Sequence, residues 1–169
     1  MLFSRWTFFQ GVVVLSLVSF SILMDLFKEE ISTQMSSSTV ITMILTLVFI
    51  TLVISLFSLL MIFQTKKSKT FLLHPIWEKM PIIISFFMVL SVIIFISSFL
   101  LFPLDGVIQN SRWILYIIIY YFLFLIKILV LSIVHKKAKR STSNEKKIEL
   151  SFVWTVFLLF VFVFFLPAI

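Results

Sequence analysis

Cysteine is absent from this 169-residue chain, which excludes disulfide staples, thiol redox chemistry, cysteine-ligated metal and cysteine nucleophiles. Glycine occurs only at Gly11 and Gly106. There is thus no glycine-rich loop to cradle a phosphate and no GxxxG spacing to bring two membrane helices into backbone contact. Proline is confined to Pro75, Pro81, Pro103 and Pro167. Broken helices of the kind that line carrier sites have little to be built from. Charge is scarce as well: Asp, Glu, Lys and Arg make up 12% of the chain, against about 25% in a soluble domain. No span carries a pair of carboxylates, so a proton relay or cation-coupled pathway lacks its usual groups. The two histidines, His74 and His135, are far apart in the chain and neither has a second histidine at helical spacing, which argues against a metal site.

What fills the chain instead is apolar. Five runs stand out, at Phe8–Phe27, Val40–Phe63, Ile82–Phe102, Trp113–Val134 and Leu150–Leu166. About 20 apolar residues cover the roughly 30 Å of bilayer hydrocarbon, so four runs meet that length and the fifth sits at its short edge. The expected fold is all-α: a polytopic integral membrane protein, with five transmembrane helices in an up-and-down bundle. One transmembrane domain accounts for residues 1–169, since the spans and short connectors use up the chain. Short connectors predict that consecutive spans pack as antiparallel neighbours.

The 14 basic residues outnumber the 7 acidic ones, but their placement points to membrane orientation rather than to nucleic acid. Lys66, Lys67, Lys69 and Lys79 follow the second span, and Lys136, Lys137, Lys139, Arg140, Lys146 and Lys147 follow the fourth. With Arg5 they form one basic side. Lys28 and Arg112 stand opposite, beside Asp25, Glu29, Glu30 and Asp105. Positive charge marks cytoplasmic loops, so the N-terminus is expected inside and the C-terminus outside. The basic loops also suit anionic lipid headgroups. Arg5 followed by an apolar run has signal-peptide character, with Ser19-Phe20-Ser21 as a small-x-small site. The run continues through Met24, however, and matches an ordinary span. The abundance of Phe and Ile with little Gly is the composition of AT-rich genomes, which suggests the cell membrane of a low-GC Gram-positive bacterium or an organellar inner membrane.

The first basic loop mixes apolar and charged residues around Pro75 and Pro81. It is expected to lie at headgroup level with Trp77 as anchor and Pro81 in the first turn of the third span; a docking segment for a cytoplasmic partner is the alternative. The second, His135–Glu149, is expected to be solvated.

Lys127 is the one charge embedded in a span. Two readings apply: the ammonium snorkels to the inner headgroups, or it faces the bundle or a partner subunit. In the second, Lys127 shares a stripe with Trp113, Tyr120, Phe124 and Leu131. That stripe is a candidate intramembrane contact site, with Phe124 as cation–π partner and Glu149 as the nearest counter-ion. Ser21, Asp25 and Lys28 form a polar stripe at the outer end of the first span. Thr42 and Thr46 on one face of the second span, and Thr51, Ser55 and Ser58 on nearly the opposite face, are candidate helix-packing residues. Two opposed stripes predict a central second helix. Hydroxyls that bond to their own i−4 carbonyls are the alternative. The fifth span has Thr155 as its only polar interior residue, which suits a lipid-facing helix or a docking strip.

With no catalytic constellation, metal site or cofactor box, the expected function is a non-catalytic membrane subunit. An accessory or immunity-type partner of a larger membrane complex is one form of it. Its surroundings would be the lipid bilayer and other membrane protein subunits. The alternative is a small homo-oligomeric transporter or channel, with Lys127 attracting an anionic substrate. A membrane-embedded lipid enzyme stands third, for want of an acid–base pair.

Overall fold

The computed structural model describes residues 5–27, 39–68, 70–101, 113–138 and 141–165. Five helices make up nearly all of them: α1 (Arg5–Leu26), α2 (Thr39–Lys67), α3 (Ile76–Leu101), α4 (Trp113–Lys137) and α5 (Asn144–Phe165). All five are long and apolar enough to cross a membrane. A short 3₁₀ turn at Phe71–Leu73 lies between α2 and α3. The helices overrun the apolar runs, chiefly at the basic ends. α3 starts six residues before Ile82, and α5 six residues before Leu150.

Those extensions have local causes. Ser143 stands just before α5, where its Oγ accepts the Lys146 N–H at 3.3 Å, an N-cap that satisfies one otherwise orphaned donor. Glu145 in the first turn of α5 complements the positive end of the helix dipole. His135, Lys136 and Lys137 in the last turn of α4 complement the negative end. Most of the tract expected to be solvated at 135–149 is therefore helical. Its Lys147 and Ile148 are buried.

Contacts at the ends show how the helix directions alternate. Gln10 near the start of α1 meets Gln64 near the end of α2. Lys66 at the end of α2 meets Glu145 at the start of α5, at 3.6 Å. Trp77 at the start of α3 meets His135 at the end of α4. α4 is the most buried helix and packs on all four others. α2 packs on α1, α4 and α5, with its most extensive contact along α5. The hub is thus α4 rather than the second helix alone. Consecutive order also fails to give neighbours throughout, since α2 and α3 are not extensively packed together.

Two apolar layers fill the interior. The middle layer joins Leu17 of α1, Val53, Ile54 and Phe57 of α2, Leu123 of α4 and Leu159 of α5. The layer at the basic end joins Met61, Leu72, Trp77, Ile84, Leu125, Ile128, Leu131 and Ile148. Leu72 and Trp77 turn into the protein, so Trp77 is not the lipid-facing anchor that the sequence suggests. Leu72 is fully buried and Trp77 is 3% exposed. The indole N–H donates to the Phe71 carbonyl at 2.7 Å, and its ring meets Phe71 edge-on at 5.3 Å. A buried indole needs such a partner for its N–H. The link between α2 and α3 is a plug in the end of the bundle. Pro81 also falls inside α3 instead of in its first turn.

Candidate functional site

Interior polarity concentrates between α4 and α5. Ser151 and Thr155 lie one turn apart on α5, and with Leu159 they form the buried stripe of a helix otherwise exposed on most sides. The fifth helix therefore has an inward face, turned to α2 and α4. Opposite it, Lys127 of α4 is fully buried. Its ammonium donates to Ser151 Oγ at 2.7 Å and to the Ile148 carbonyl at 3.3 Å. Ser151 Oγ donates in turn to the Ile148 carbonyl at 2.7 Å, and Thr155 Oγ1 to the Ser151 carbonyl at 2.6 Å.

Lys127 therefore turns into the bundle, not outward to the headgroups. Its ammonium lies 5.9 Å from the centroid of the Phe152 ring, a cation–π contact made with Phe152 where the sequence pointed to Phe124. Glu149 is exposed, and both hydrogen-bond acceptors on the ammonium are neutral. A lysine at the centre of a span costs at least about 2.5 kcal/mol on insertion scales. Hydrogen bonds to a charged group contribute about 1.5–3 kcal/mol each, so two of them offset a cost of that size. Chemically this is a charged donor held by one turn of the facing helix. It fixes the rotation of α5 against α4.

The rest of the expected stripe lies on the same side of α4 but meets other partners. Tyr120, two turns before Lys127, faces α1: its hydroxyl donates to the Leu17 carbonyl at 3.3 Å and lies 3.0 Å from Ser21 Oγ. Phe124 meets Phe57 of α2 edge-on at 5.3 Å. Trp113 is largely exposed. The stripe is a packing seam whose members contact α1, α2 and α5 at successive heights.

The outer-end stripe divides. Ser21 turns to Tyr120, Asp25 is exposed, and Lys28 lies outside the described residues. On α2, Thr42, Thr46, Thr51 and Ser55 are half-buried and Ser58 is buried. The hydroxyls of Thr46, Ser55 and Ser58 donate at 2.8 Å to the carbonyls of Thr42, Thr51 and Ile54 in their own helix. These three bonds are intrahelical, the alternative left open by the sequence.

Two interhelical bonds lie elsewhere. Gln10 Nε2 donates to Gln64 Oε1 at 2.8 Å, and the hydroxyls of Ser91 and Tyr121 are 2.6 Å apart. Isolated polar side chains near matching heights of two spans are the signal that finds such pairs. At the basic end, Lys66 Nζ also lies 5.3 Å from the Trp6 ring.

Outside, a groove of about 570 Å³ runs between α4 and α5. Val130, Ile133 and Val134 form one wall, and Leu150, Trp154, Leu158 and Val161 form much of the other, with Lys137 at one end. Among the described residues, no group of three or more His, Cys, Asp or Glu converges as a metal centre would need. The chain matches no protein-family model, no curated protein and no solved structure.

Proposed function

We propose that this protein is a non-catalytic integral membrane subunit, an accessory or immunity-type partner of a larger membrane complex. In this reading it is embedded by its five helices with the basic ends on the cytoplasmic side. The observation that carries the reading is the use made of Lys127. Lys127, the charge set deep within a span, is consumed in a contact between α4 and α5, where it hydrogen-bonds to Ser151 and Ile148. Polar side chains at the other helix contacts likewise bond to one another, as Gln10 does to Gln64 and Ser91 to Tyr121. The outer surface is a continuous supply of large apolar side chains, such as Phe8, Ile82, Phe86 and Phe162. Such a body suits lipid and apolar protein faces.

The test is isolation from the native membrane in mild detergent, with sizing and mass spectrometry, alongside deletion of the chain. A stoichiometric complex whose other members fall in abundance on deletion supports the subunit reading. A monomer or homo-oligomer that conducts an anion in liposomes, and stops doing so on Lys127→Met, overturns it. That second result would favour the homo-oligomeric transporter, a reading that draws on the neutral surroundings of the same ammonium.

A further inference from the structure

The groove between α4 and α5 has a direction. Counted along α5 from Leu150 to Phe162, its walls extend about 18 Å at 1.5 Å per residue. One end is wholly apolar, at Val161 and Phe162, and the other reaches Lys137 in the last turn of α4. Lys146 is exposed and precedes Leu150 by one turn of α5, so it continues the line of the groove toward the same end. Glu149 shares that turn, and so does the buried Lys147, which leaves three cations against one carboxylate there.

The two ends decide what fits: an occupant that is apolar along about 18 Å and ends in a negative charge matches both the walls and the lysine end, as an acyl chain with its headgroup phosphate does. Trp154 in its wall brings an amphipathic ring of the kind that settles beside lipid.

We propose that the α4–α5 groove is a lipid site, holding one acyl chain of an anionic phospholipid with the headgroup phosphate at the Lys137–Lys146 end. A hydrocarbon chain satisfies the apolar walls, and the phosphate supplies an anion to the two lysines. This site goes beyond the subunit reading and stands whether or not a partner complex exists.

The test uses the full chain in nanodiscs, with brominated-acyl phosphatidylglycerol or phosphatidylcholine as quencher. The Trp154 signal is the difference between wild type and Trp154→Phe. Half-quenching is expected at a phosphatidylglycerol fraction about fivefold lower than for phosphatidylcholine, the size of one lysine's contribution near an anionic surface. Lys137→Gln is expected to erase most of that preference. Val161→Phe, which narrows the groove from its exposed side, brings phosphatidylglycerol quenching down to the phosphatidylcholine level. Equal quenching by the two lipids in wild type would overturn the proposal, as would a preference that survives both substitutions. Protection of Trp154 from both lipids would also overturn it, because the groove would then be covered by protein.

Discussion

Lys127 and Ser151 set the residue-scale expectation, and its size differs between the two partners. Removing the hydroxyl in Ser151→Ala leaves the buried ammonium with one neutral acceptor. The expected cost is about 1.5–3 kcal/mol, the range for a hydrogen bond to a charged group. Lys127→Met removes the charge itself and keeps a similar volume, while Ser151 Oγ retains its bond to the Ile148 carbonyl. Apolar replacement of a buried charge is often neutral or stabilising. Thermal unfolding in detergent should therefore show Lys127→Met within about 1 kcal/mol of wild type. In the double variant the Ser151→Ala penalty should largely vanish, a coupling that a double-mutant cycle reads directly. Additive losses would mean that the two side chains do not act together. The sequence singled out Lys127 because a lone charge in an apolar run is conspicuous. It did not reveal Ser151 as the partner, because choosing among the hydroxyls of other spans requires the rotation of each helix about its axis.

At the scale of elements, the link before α3 behaves as core. Leu72 is fully buried while its neighbour Leu73 is 69% exposed. Leu72→Ala is expected to cost about 2–5 kcal/mol through the cavity it leaves, and Leu73→Ala less than about 0.5 kcal/mol. Equal effects would return the segment to the surface. Tyr120→Phe removes the hydroxyl that joins α4 to the Leu17 carbonyl of α1. Interhelical bonds of this kind average about 0.6 kcal/mol in membrane proteins, so a loss of that order is expected from the same melts. The five helices were legible in the sequence because span length and hydropathy are local properties. Their basic ends were not, because Ile148, Leu72 and Trp77 sit among lysines. A window average reads such residues as interfacial, and only packing against α4 shows that they are buried. The hydroxyls of α2 were ambiguous for a related reason: Ser and Thr satisfy themselves on their own helix as readily as across an interface.

For the whole molecule, the central claim is that five helices cross a bilayer with both basic links on one side. α2, at 29 residues, is about 43 Å long and exceeds the roughly 30 Å hydrocarbon thickness, which tilt or projection of its lysine-tipped end accommodates. The contacts among Gln10, Gln64, Lys66, Glu145, Trp77 and His135 gather the basic ends of all five helices at one end of the bundle. By the charge rule, the basic ends are expected on the cytoplasmic side. The absence of native cysteine gives a background-free way to measure that orientation. Single cysteines at Ser143, between α4 and α5, and at Trp113, the first residue of α4, are both exposed and mark opposite ends. A membrane-impermeant maleimide added to intact cells should label position 113 and leave 143 unreacted until the membranes are inverted. Labelling of both positions from one side would contradict the account.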